Sequence, residues 1–220
     1  MKVILFGATG MVGRGVLREC LLDDDVQSVA SVVRAPSDER HPKLREIVHR
    51  DFHDFSNIKS DLTGFDAGFF CLGATSSGLS EADYSEITYG ITVAVAEALV
   101  TVNPAMTFIF VSGAGSDSSE KGKVMWARVK GRAENAVLRL PFAAAYVFRP
   151  GFIRPMHGVT SKTRSYRLLY TLAKPLLPGI ASLFPKYVTT TEQIGRAMLG
   201  VAKRGAPKRV LESEDINAVA

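Results

Sequence analysis

A chain of 220 residues, 46% hydrophobic and 22% charged, suffices to bury one sizeable core and is too apolar for a disordered or fibrous architecture. Its formal charge of +5 is modest, and its two cysteines, Cys20 and Cys71, lack the spacing of a zinc module or a disulfide framework, so no metal is expected. Such cysteine usage fits a reducing compartment, read here as the cytoplasm; the apolar stretch Val3 to Phe6 is too short for an export signal.

Lys2 to Phe6 (KVILF) is a short apolar strand that runs into glycines, and Met11 to Leu22 follows with Val12, Val16, Leu17 and Leu21 at helical spacing. Val26 to Val33 reads as a second strand, Leu44 to His49 as a third and Ala67 to Cys71 as a fourth. A long helix is expected from Ser80 to Val102, ended by Asn103-Pro104, and Thr107 to Val111 (TFIFV) is the fifth strand. A Gly/Ser-rich loop, Ser112 to Ser119, leads to a helix over Lys121 to Leu140 and then a sixth strand, Ala144 to Phe148. Strands alternating with crossover helices predict a parallel α/β sheet covered on both faces, doubly wound in the order 3-2-1-4-5-6, a Rossmann architecture.

Beyond Pro150 the pattern changes. Ser161 to Leu177 has amphipathic helical spacing, Thr189-Thr190-Thr191-Glu192 offers a capping box for a helix to about Lys203, and Arg209 to Glu212 fits a last edge strand. Residues 1–220 read as a single domain, with about 150–220 forming a small C-terminal helical lid on the substrate side. The most apolar part, Leu168 to Phe184, is broken by Lys174 and two prolines, so no uninterrupted run reaches membrane-spanning length. From Arg154 to Arg209 the basic residues face a lone acid, Glu192. That basic surface is read as solvated and complementary to an anionic cofactor; nucleic-acid binding is disfavoured because no stacking motif or recognition helix accompanies it. The two long helices offer surfaces on which two copies could pair.

The segment Gly7-Ala8-Thr9-Gly10-Met11-Val12-Gly13 places three glycines directly after a strand and directly into a helix. Gly7 permits the tight turn, Gly10 lets a pyrophosphate approach backbone amides, and Gly13 lets the helix press on the strand, while the helix dipole favours the anion. The expected ligand is a nicotinamide dinucleotide. Where an NAD enzyme carries Asp or Glu after the second strand, this chain has Arg34, with Ser37 nearby. A guanidinium there suits an adenosine 2′-phosphate, so NADP(H) is preferred to NAD(H). Asp51-Phe52 is placed to meet the adenine, or Asp51 to cap a helix.

These pieces resemble the atypical short-chain dehydrogenase/reductase family, in particular its NmrA-like and Tat-interacting-protein-like branch. The matching segments are GATGMVG, VVRA, CLGAT (Cys71 to Thr75), FVSGAGSD (Phe110 to Asp117), Lys130 and VFRPGFIRP (Val147 to Pro155), which together span most of the chain. The resemblance implies that Leu72, Gly73, Ala74, Pro150, Gly151 and Ile153 line the cofactor.

It also implies a catalytic Ser followed by Tyr-x-x-x-Lys, where the lysine holds the nicotinamide ribose and the phenol protonates the substrate oxygen. Here Ser112 and Lys130 are present, but Trp126 stands at the tyrosine position. An indole does not surrender a proton near neutral pH. Three readings stay open: another acid (Tyr84, Tyr89, His157 or Lys130) substitutes, no side-chain acid is needed, or the dinucleotide is bound without turnover. Cys71 reads as a small buried residue rather than a nucleophile. The expected activity is NADP-dependent reduction of a small carbonyl or quinone compound, with a catalytically silent dinucleotide sensor as the alternative.

Overall fold

The computed structural model describes residues 1–158 and 186–220. Its frame is a seven-stranded parallel sheet in the order β3-β2-β1-β4-β5-β6-β9, built from β1 (Lys2–Phe6), β2 (Ser28–Val33), β3 (Leu44–Val48), β4 (Ala67–Phe70), β5 (Thr107–Val111), β6 (Ala144–Arg149) and β9 (Val210–Glu212). The expected order is present, and the edge strand near residue 210 extends it by pairing parallel to β6. β1 is central: Phe6 aligns with Val32 of β2 on one side and Phe70 of β4 on the other.

Alternate residues of these strands feed two separate cores, as the two-residue period of a strand requires. Val3, Leu5, Val29, Phe69 and Ile109 face one side, where they meet Val16, Leu17 and Cys20 of α1 (Met11–Leu22). Ile4, Phe6, Val32, Phe70, Phe108 and Phe110 face the other, against Val95 and Leu99 of a helix ending at Val102 and Ala133 and Val137 of a helix ending at Arg139. Phenylalanines dominate this second core. Phe6 meets Phe52 and Phe55 edge to face at centroid distances of 6.2 and 6.1 Å, and each fully buried ring contributes about 2–3 kcal/mol by apolar burial.

The long helix after β4 is not uniform. Ser80 caps α2 (Glu81–Ser85) by accepting from the Asp83 amide, a π-turn occupies Glu86–Gly90, and α3 (Ile91–Val102) resumes the α register. At the π-turn the Ile91 amide bonds to the Glu86 carbonyl five residues back, and the Thr92 hydroxyl donates to the Thr88 carbonyl at 2.5 Å. The combined helix Glu81–Val102 is long and apolar enough to cross a bilayer. Its Tyr84, Thr88, Thr92, Val95, Ala96 and Leu99 are instead buried in the core. The helix ends at Asn103, whose buried amide accepts from Gly64 and Phe65 and donates to the carbonyls of Leu62 and Leu99, fixing the turn that precedes β4.

α4 (Met125–Arg139) begins four residues later than the periodicity predicts, because Asp117 ties up the amides of Ser119 and Gly122 in a compact loop. After β6, the short strands β7 (Phe152–Arg154) and β8 (Val188–Thr190) pair in a second, two-stranded parallel sheet. α5 (Thr191–Arg204) is capped one residue inside the expected box: Thr190 is the cap and accepts from the Gln193 amide. α5 crosses α1 at close range, since a β-carbon on Gly15 would fall 2.6 Å from Thr191 Cβ and one on Gly195 2.7 Å from Glu19 Cγ. α6 (Ser213–Val219) closes the chain, and the helix expected over 161–177 lies outside the described residues.

Among the described residues, four cations of the basic C-terminal run pair with acids. Lys203 bridges Asp23 and Asp25, Arg196 meets Glu19 and Glu192, Lys186 meets Glu214, and Lys208 meets Asp215.

Candidate functional site

The glycine turn joins β1 to α1 as its spacing predicts. Gly7 has a φ of +88°, and a β-carbon there would lie 2.7 Å from the Cys71 carbonyl carbon, so both conformation and space exclude a side chain. A β-carbon on Gly13 would come within 2.0 Å of the Gly7 carbonyl oxygen. The Gly10 amide closes the turn on that same oxygen at 2.9 Å. Gly10 offers no side-chain cap and the first turn of α1 holds no acid, so the amides around Met11, Val12 and Gly13 and the helix dipole are left for an anion. The turn therefore fits a pyrophosphate.

Beside it lies a cavity of about 280 Å³ lined by Arg34, Phe52, Leu72, Gly73, Ala74 and Lys130, together with Phe70, Phe110, Ile87, Thr88, Ile91 and Thr92. The first six are residues that the sequence singles out. Arg34 follows β2 and Lys130 lies beyond β5, so the cavity spans three inter-strand spacings, about 14 Å, across the point where strand order reverses. The last six escape a sequence reading except through one signal: Thr88 and Thr92 are a polar pair at i, i+4 on an otherwise apolar helix.

Ser112 and Trp126 lie on the segments that border Lys130. The Ser112 hydroxyl stands 3.1 Å from that of Ser116, which donates to the Gly113 carbonyl. The Lys130 Cε lies 4.0 Å from where a β-carbon on Gly113 would be, which brings the lysine to the end of β5. Burial pulls the Lys130 ammonium below the usual lysine range, and the Glu134 carboxylate acts in the opposite direction. Trp126 is half-buried one turn earlier on the same helix.

The other candidate acids sit elsewhere. Tyr84 is 1% exposed, its phenol beside the Thr88 hydroxyl and raised by burial. Tyr89 lies under the Arg132 guanidinium, 4.2 Å from the ring centroid. His157 meets Glu192 at 2.7 Å and lines a separate groove of about 660 Å³ on the α1 side, which also contains Thr9. Asp51 caps no helix: its carboxylate accepts from the His53 amide in a surface turn, and its carbonyl accepts from buried His49. Pro150 is buried and accepts from the Ala114 amide, Gly151 donates to the Ser213 hydroxyl, and Ile153 pairs with Thr189 in the small sheet. Burial pushes the Cys71 thiol up, which disfavours the thiolate that a nucleophile needs.

The sheet order, the glycine turn and the cavity at the strand ends define a Rossmann-type dinucleotide-binding fold. Residues 7–146 match the family described as NAD(P)H-binding, and the chain belongs to it. Over nearly its whole length the chain is similar to the mitochondrial protein FMP52 of Debaryomyces hansenii, at 24% identity across 92% of this chain and 88% of the relative. Its counterpart in Chaetomium globosum is 25% identical across 97% and 94%. A dTDP-glucose 4,6-dehydratase from Streptomyces venezuelae, solved with NAD bound, superposes with a TM-score of 0.70 at 16% identity, covering 96% of this chain and 75% of that one. A Helicobacter pylori ADP-L-glycero-D-manno-heptose-6-epimerase gives 0.69 at 15%, covering 96% and 76%. Membership of that family makes a nicotinamide dinucleotide the ligand of the chain. The cytoplasmic expectation is overturned, since the fungal relatives are named as mitochondrial proteins. Scarce cysteine marks a reducing compartment without saying which one.

Proposed function

We propose that the chain is an NADP(H)-dependent oxidoreductase that reduces a small carbonyl or quinone compound, with Lys130 as its proton source. The observation that carries this reading is the single cavity lined by both Arg34 and Lys130. Arg34 answers a 2′-phosphate with a forked, permanent cation. Gly7, Thr9, Gly10, Met11, Val12 and Gly13 hold the pyrophosphate, Phe52 and Asp51 flank the adenine, and Leu72 to Ala74 with Pro150, Gly151 and Ile153 guide the remainder. When bound, the nicotinamide supplies the reducing equivalent.

Ser112 orients the substrate oxygen by hydrogen bonding. Lys130, partly dehydrated and so more acidic than a surface lysine, releases its proton to that oxygen as negative charge develops there. Among the described residues it is the only candidate acid that lines the cavity. A mitochondrial setting follows from the names of the relatives. The test is a carbonyl and quinone panel with NADPH on the wild type and on Lys130→Met. Turnover should fall at least 10²-fold in the variant, and equal rates would remove Lys130 from the chemistry.

Trp126 favours a second reading, a dinucleotide sensor that has lost its acid. If the wild type turns over none of the panel and Trp126→Tyr does, the sensor reading prevails.

A further inference from the structure

Glu134 is fully buried on α4, one turn beyond Lys130, and Arg149 is the last residue of β6. The Arg149 Nε donates to both Glu134 carboxylate oxygens at 3.1 Å, and Nη2 donates to one of them as well. Nη2 also reaches the Ser118 hydroxyl at 2.5 Å, and Nη1 lies 3.6 Å from a Glu212 carboxylate oxygen on β9. One guanidinium thus ties together α4, the loop after β5, the end of β6 and β9. The backbone around it converges on the same place: the Ser112 amide bonds to the Phe148 carbonyl at 2.8 Å, and the Asp117 amide to the Ala127 carbonyl at 2.9 Å. Dehydrating two charges seldom adds net stability over apolar packing of the same volume. The pair is better explained by what it holds in register.

We propose that Glu134 and Arg149 are positioning residues of the candidate site, fixing the Lys130 turn of α4 against the Pro150–Gly151 turn. The inference rests on the reading that Lys130 acts in the cavity. Among the described residues the charged groups linked to that lysine are Glu134 on its own helix, Arg149 on β6 behind Glu134, Glu212 beyond Arg149, and Arg34 on the same cavity wall. Removing the Glu134 charge leaves burial acting on Lys130 without its counterweight, which favours the neutral form.

Glu134→Gln tests this with competitive acetylation by an anhydride across pH, quantified at each lysine by mass spectrometry. The Lys130 titration should move to lower pH than in the wild type, with labelling near pH 8 rising severalfold while surface Lys2 and Lys59 are unchanged. A folded variant whose Lys130 titrates as in the wild type overturns the proposal. Should Glu134→Gln not fold, the double variant Glu134→Leu, Arg149→Leu replaces the pair with apolar packing and is read in the same way. If neither folds, the pair is a stability element and the proposal falls. The labelling uses no ligand, so it stands apart from NADPH calorimetry on the wild type, whose failure would instead remove the dinucleotide reading.

Discussion

The indole of Trp126 rests on Gly115: its outer ring carbon lies 3.3 Å from where a β-carbon of that glycine would be, and Gly115 holds a φ of +84°. The chain's one tryptophan is therefore tied to the loop that starts at Ser112. Gly115→Ala should cost about 1–3 kcal/mol in a urea melt, from backbone strain alone, and shift the emission maximum as the ring is displaced. An unchanged spectrum would mean that the contact is not kept in solution.

On the proposed function, Arg34 is what separates the two coenzymes. Arg34→Ala should weaken NADPH binding by about 10- to 100-fold, the worth of one or two hydrogen bonds to a charged phosphate, and leave NADH within about twofold. Calorimetry with both coenzymes decides this, and equal losses would place Arg34 outside the 2′-phosphate contact.

The pH dependence follows from the direction of the Lys130 shift. A proton donor works while protonated, so turnover should be level at lower pH and fall as pH rises through the lysine's depressed pKa. The alkaline limb should begin below the range of an ordinary lysine, and Glu134→Gln should move it lower still. A limb at the ordinary lysine value would contradict the burial that the cavity imposes.

Gly13 and Gly73 give a contrast within one site. A methyl at Gly13 would meet the Gly7 carbonyl oxygen at 2.0 Å, whereas one at Gly73 meets nothing within 4 Å. Gly13→Ala should lower stability by about 1–3 kcal/mol or more and abolish dinucleotide binding, while Gly73→Ala should keep the melting temperature within about 2 °C. Coenzyme titration and thermal unfolding of the two variants test both halves.

Much of this architecture is legible because buried parallel strands write themselves as unbroken apolar runs. KVILF and TFIFV are strands β1 and β5 to the residue. The glycine turn is legible because a forbidden β-carbon leaves its mark in the residue type, and Arg34 and Lys130, far apart in sequence, do share a cavity. The π-turn at Glu86–Gly90 is not legible, since ITYGIT keeps apolar residues at helical spacing and the slip is a backbone event stabilised by a threonine hydroxyl. Nor is the β7 to β8 pairing, three residues from each of two distant segments. Nothing in the sequence pairs Glu134 with Arg149, and only folding buries one against the other. Cellular location is not written in the fold at all.

The tight crossing of Gly15 with Thr191 has a consequence for biosynthesis. The helix that follows the glycine turn leans on a helix that begins about 180 codons after its own start. During translation the earlier helix leaves the ribosome before its partner exists, so the glycine turn acquires its backing only once Thr191 and the helix it begins have been made. A ribosome stalled before codon 191 would display a nascent chain that bears the whole glycine signature without its support.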